Sequence, residues 1–205
     1  MKTKSFLFFV LIVISILLAA CGGSATEGTV SYIGTIDGAP ESARVGLVAE
    51  NGKYVIYICS LDDAFNLATS RWFSGDLDGD GTFAGTSPDG VKVNGSVNGS
   101  LLTGFITNRE GERLNFRGSS ISAGGPAGLY RGVGEYDGQQ VILGAVVDEG
   151  DLFAAATVQV QDKVEFITPV TVPPFRVDGT NLVLTMGALN QKIDLFLVQN
   201  LEGLE

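Results

Sequence analysis

Short β-forming runs punctuated by two-residue turn signals recur between residues 29 and 147, and no other feature constrains the fold of this chain as tightly. Asn51-Gly52 separates Arg44–Glu50 from Lys53–Cys59, Asp89-Gly90 separates Thr82–Thr86 from Val91–Val97, and Asn98-Gly99 separates that run from Leu101–Thr107. Glu110-Gly111 leads into Arg113–Arg117, and Asp137-Gly138 joins Leu129–Tyr136 to Val141–Val147. Asn-Gly and Asp-Gly suit tight hairpins because both central residues of a type I′ turn need positive φ. Connections this short join antiparallel strands, since parallel pairing needs long crossovers, usually helical. Only Leu61–Ala68 offers a helical turn or a loop. The expected class is all-β, an antiparallel meander forming a barrel or a sandwich.

Further strands are expected at Thr29–Asp37, Thr69–Ser74, Leu152–Gln161, Leu182–Met186 and Lys192–Val198, with an edge or irregular crossing at Pro169 and Pro173-Pro174. Alternation puts Tyr54, Ile56 and Ile58 on one face of their strand and Val55, Tyr57 and Cys59 on the other. Both sets are apolar, which predicts a strand covered on both sides. Many strands are shorter than a transmembrane barrel requires.

Tyr32, Gly34, Gly46 and Gly52 recur as Tyr130, Gly132, Gly144 and Gly150, each 98 residues later. The flanking VGLVAENG and LGAVVDEG also correspond. Two related β units are therefore expected, residues 29–120 and 128–205, on either side of the Gly/Ser-rich stretch 118–128.

The chain contains no histidine, which excludes Ser-His-Asp and Cys-His nucleophiles, His-bearing zinc sites and imidazole acid–base chemistry. Its two cysteines are Cys21 and Cys59. Cys59 lies in an apolar strand, where a buried, inert thiol is expected.

The first residues follow a different logic. Lys2 and Lys4 precede an almost unbroken apolar run, Phe6–Leu18, which exits through Ala19-Ala20 into Cys21. That order has the charge flank and small-residue exit of a signal peptide. Leu18-Ala19-Ala20-Cys21 resembles the lipobox of bacterial lipoprotein precursors. The resemblance implies that residues 1–20 are removed and that Cys21 becomes the lipidation site, diacylated and N-acylated with palmitate-type chains. Residues 21–28 would then be the lipidated cysteine and a flexible tether. The protein would be exported and anchored to the cell membrane or the outer membrane. Without Lys2 and Lys4 the chain carries 11 basic and 23 acidic residues, a formal charge of −12, so nucleic acid is not an expected partner.

Candidate sites are few. Asp76, Asp78 and Asp80, with the carbonyl of Thr82, have the alternate-oxygen spacing of the first half of a calcium loop, but Ser87 stands where a bidentate glutamate would close it. The same run reads equally as an acidic hairpin turn. No cofactor is expected beyond that structural calcium. Trp72 and Tyr57 are candidate ligand-binding aromatics, for a sugar or a peptide, although aromatics in strands more often belong to a core. Asn94-Gly95-Ser96 and Asn98-Gly99-Ser100 match a glycosylation pattern but read as turn chemistry, and Asp148, Glu149 and Asp151 as a solvated hairpin cluster. The expected function is a non-catalytic binding or structural module of the cell envelope that meets an envelope protein or a glycan. The alternatives are a β-barrel holding a small apolar or carbohydrate ligand and a hydrolase working through carboxylates.

Overall fold

The computed structural model describes residues 28–136, 139–148, 154–160, 166–167, 176–186, 191–202 and 204. The Asp137-Gly138 turn, Gly150, Glu149, Asp151, Pro169, Pro173-Pro174 and everything before residue 28, Cys21 included, lie outside them.

The first eight strands are β1 (Val30–Ile36), β2 (Arg44–Glu50), β3 (Lys53–Cys59), β4 (Trp72–Asp76), β5 (Thr82–Thr86), β6 (Lys92–Asn98), β7 (Leu101–Thr107) and β8 (Arg113–Ser120). They form one antiparallel sheet in the order β4-β3-β2-β1-β8-β7-β6-β5. Its two ends return toward each other and nearly close a barrel. The Asp78 amide donates to Thr82 O at 2.9 Å where β4 turns into β5. The Tyr54 hydroxyl also reaches from β3 to Ala84 O on β5, at 2.9 Å. Glycine makes that reach possible: a Cβ on Gly75 would lie 3.2 Å from the Tyr54 ring, and one on Gly85 3.1 Å from its hydroxyl.

The remaining strands, β9 (Gly128–Tyr136), β10 (Gln139–Val147), β11 (Ala154–Val160), β12 (Phe166–Ile167), β13 (Arg176–Asp178), β14 (Asn181–Met186) and β15 (Gln191–Leu197), form a second antiparallel sheet in the order β12-β11-β10-β9-β15-β14-β13. Each sheet is thus a four-strand meander whose first strand is joined on its other side by the last strand of the group. The register repeats as well. Tyr32 pairs with Leu47, and Tyr130 with Ala145, the same pairing moved by 98 residues. A Cβ on Gly34 would strike Arg117 O of β8, and one on Gly132 would strike Asp194 O of β15. The repeated glycines therefore stand at equivalent crossings where the returning strand passes closest.

Turn chemistry explains the regularity of the first sheet. Asn51 and Gly52 have φ of +50° and +75°, as a type I′ turn requires. At the β6–β7 hairpin the expected centre moves by one residue. Asn98 pairs with Leu101, leaving Gly99-Ser100 as the turn, with positive φ at Gly99. Asn94-Gly95 is no turn but lies inside β6, where a Cβ on Gly95 would sit 2.6 Å from the Phe83 ring. The Leu61–Ala68 segment becomes a helix, α1 (Asp63–Thr69), because the Asp62 carboxylate caps the Phe65 amide at 2.8 Å; it takes in Thr69, so the strand expected at Thr69–Ser74 begins only at Trp72.

Two cores follow from the alternation in β3. Tyr54, Ile56 and Ile58 point into the barrel with Tyr32, Leu47, Phe73, Phe83, Leu102, Ile106 and Phe116. Val55, Tyr57 and Cys59 point outward into a second core with Ile33, Val48, Leu129, Val146, Val198 and Leu201. The second sheet therefore packs on the outer face of β1–β3. At this contact a Cβ on Gly144 would lie 2.5 Å from the Tyr57 ring, and one on Gly46 would lie 2.9 Å from Val146. An Arg44–Asp148 ion pair at 3.2 Å and a hydrogen bond from the Leu201 amide to the Glu50 carboxylate at 2.8 Å span the same junction.

Candidate functional site

The aromatic pair singled out in the sequence lies at this junction. Tyr57 and Trp72 occupy paired positions on β3 and β4, and their rings stack at 4.4 Å. Tyr57 is fully buried, pressed against Gly144, so its ring packs the two sheets together. Trp72 is half-buried, its indole Nε1 meets no acceptor among the described residues, and the Arg131 guanidinium stands 6.0 Å from its ring. Burial lowers the pKa of Arg131. Beyond it, Phe196 is 60% exposed at a groove of about 240 Å³ lined by Arg131, Phe196, Gln199 and Glu202, and Val133, two residues along β9 from Arg131, is 58% exposed.

The acidic run adopts the backbone of a three-residue hairpin loop. Asp78 N donates to Thr82 O at 2.9 Å, Gly81 N donates to Asp78 O at 2.8 Å, and Gly81 has positive φ. The same pair of hydrogen bonds closes Ser87–Val91 around Gly90 and Asn108–Glu112 around Gly111. The Thr82 hydroxyl lies 3.1 Å from the Asp78 carboxylate and 2.7 Å from that of Asp80. Hydrogen bonds from the Thr82 hydroxyl and amide lower the pKa of Asp80. Asp76 stands apart, at the end of β4. Among the described residues no group of three or more acidic or cysteine side chains is placed to hold a metal ion.

The most thoroughly buried charge among the described residues was not singled out in the sequence. Arg71 is 1% exposed at the barrel end that α1 covers. Its guanidinium donates to Ser70 O at 2.6 Å, to Leu67 O at 3.2 Å and to both carboxylate oxygens of Asp89. Burial opposes ionisation of Asp89, but hydrogen bonds from Arg71 and Ser87 and the arginine charge outweigh it, bringing its pKa down to about 2. Asn66, fully buried, ties α1 to Ser60 and Ser70. These contacts plug the barrel. Cys59 is fully buried, and burial pushes its thiol pKa far up, which removes it as a nucleophile.

A second surface runs along the outer face of β6–β8, away from the second sheet. Lys92, Thr107 and Arg113 form one cross-strand row, and Asn94, Phe105 and Asn115 the next. The Arg113 guanidinium lies 3.5 Å over the Phe105 ring. The alternation of KVNGSVN, LLTGFIT and RLNFRGSS holds this face, but only the register aligns its rows.

No family model and no curated protein matches this chain. Among solved structures, that of a Nitrosomonas europaea protein provisionally assigned as AttH covers 81% of this chain and 79% of its own, at 9% identity and a TM-score of 0.23. A likeness this slight bears on neither fold nor function.

Proposed function

We propose that this chain is an exported protein, anchored through a lipidated Cys21, that serves the cell envelope as a non-catalytic binding or structural module. The observation that carries the reading is the order of Lys2 and Lys4, the apolar run Phe6–Leu18 and Leu18-Ala19-Ala20-Cys21. Two acyl chains suffice for stable anchoring. Val30 opens β1 nine residues after Cys21, so the tether spans at most about 30 Å. The barrel end bearing Val30 and the Asn51-Gly52 turn would face the bilayer, and the end plugged by α1 would face away.

The non-catalytic part has separate support. The barrel interior is occupied by its own tyrosine, phenylalanine and aliphatic side chains, which favours a surface over a cavity. Asp89, whose carboxylate is largely covered, is already committed to Arg71. Replacing Cys21 by Ser and fractionating cells tests the anchor. The wild-type chain is expected in the detergent-extracted membrane fraction and the variant in the soluble one; a variant that stays with the membrane overturns the reading.

A further inference from the structure

The outer face of β6–β8 differs in charge from the rest of the chain. Acidic residues number 23 of 205, a rate that would put about three in the 27 residues of β5–β8. Those strands contain none, and they carry Lys92, Arg113 and Arg117 instead. Arg117 is paired with Asp37 at 2.7 Å. Lys92 and Arg113 have no carboxylate partner among the described residues, and both are exposed. Acidic side chains return only at the hairpin tips, where Asp89 is held by Arg71, Glu112 accepts from the Asn108 amide at 3.2 Å and Glu110 is exposed on the loop.

The arrangement is ordered as well as basic. Thr107 stands between Lys92 and Arg113, and Phe105 stands between Asn94 and Asn115 in the adjoining row. Phe105 is half-buried and carries the Arg113 guanidinium over its ring, so its remaining exposed edge offers contact for sugar C–H groups, and the flanking amides offer paired donors and acceptors for hydroxyls. Stacking on Phe105 holds the Arg113 guanidinium in place, so less freedom is lost when it meets an anion.

We propose that this face binds an acidic glycan, with Lys92, Thr107 and Arg113 meeting its carboxylates or phosphates and Phe105, between Asn94 and Asn115, meeting a sugar ring. A densely charged polyanion without sugar rings would use the two cations and leave Phe105 idle. The proposal rests on the reading of the chain as a binding module and is independent of the anchor. Failure of the Cys21→Ser fractionation would leave it standing, and failure of glycan binding would leave the anchor standing.

The test is isothermal titration calorimetry on the full chain in detergent. The probes are hexagalacturonate, a phosphodiester-linked glucose oligomer, neutral maltohexaose and hexaglutamate. At least one acidic glycan is expected to bind roughly tenfold tighter than maltohexaose or hexaglutamate. Phe105→Ala, and separately Lys92→Ala with Arg113→Ala, should each weaken that binding by roughly fivefold or more with the melting midpoint retained, whereas Phe196→Ala should leave it unchanged. Equal affinity for hexaglutamate, no binding of either acidic glycan at millimolar concentration, or binding indifferent to both sets of substitutions would overturn the proposal.

Discussion

Arg71 and Asp89 show how much one residue pair sets at a barrel end. Removing Asp89 leaves the Arg71 charge buried, a loss of about 3–5 kcal/mol when it finds no new partner, whereas removing Arg71 leaves Asp89 with Arg109 at 3.5 Å and the Ser87 hydroxyl and should cost less. Asp89 also sets a pH dependence. Its carboxyl titrates near 2 in the fold and near 3.8 when free, so its contribution is complete above about pH 4 and is lost as the pH falls toward 2. That contribution is at most about 2 kcal/mol, since the carboxylate is partly screened by solvent. Denaturant melts at pH 5 and at pH 2.5 should show the wild type losing more stability than Asp89→Asn over that interval; parallel losses would show that the pair does not carry the acid response. Arg71 was invisible in the sequence because a lone arginine before Trp72 reads as a solvated strand end. Burial follows only once α1 folds over the barrel mouth and supplies carbonyls for the guanidinium.

At the level of elements, the hairpins decide what was legible. The turn dipeptides located the strands of the first sheet closely, because positive φ at glycine is a local demand that neighbouring structure rarely overrides. What they did not resolve was the loop class. Gly81, Gly90 and Gly111 each follow two other loop residues, so the Asp78–Thr82 stretch shares its loop class with two hairpins that lack the alternate aspartates. The class yields a graded expectation. Gly90→Ala and Gly111→Ala meet open space and should cost only the positive-φ strain, about 1 kcal/mol. Gly81→Ala must also place its Cβ 2.3 Å from Val97 O and should cost clearly more. Chemical denaturation of the three variants checks the order, and equal losses would contradict it. Short β12 and β13 had no comparable signal, since two or three residues carry too little periodicity to register. The surface on β6–β8 was hidden for another reason. Alternation showed which residues face outward, but rows form across strands, and pairing is not written in any one of them.

Across the whole molecule, the repeat of glycines and tyrosine became a repeat of strand order and register. In the first sheet β1–β4 and β5–β8 are two local meanders, and β1–β8 is the one long-range pairing that joins them. Gly34 faces Gly118 across that seam, where a Cβ on either would lie 2.8 Å from the other's Cα. Loop-closure entropy places such a pairing late in folding. Gly34→Ala should therefore speed unfolding and leave the folding rate nearly unchanged, the signature of a contact absent from the transition state. Stopped-flow chevrons measure both arms, and a slowed folding arm would place the seam in the nucleus instead. The same strand has a mechanical role if Cys21 carries the lipid. β1 is the first strand beyond the tether and lies hydrogen-bonded between β2 and β8. A pull from the bilayer along its axis loads both ladders in shear, all bonds together, instead of peeling them one by one. The anchor would thus be fastened to a strand that resists extraction on two sides, and tension at the membrane would reach the barrel as a whole before it could free any single strand.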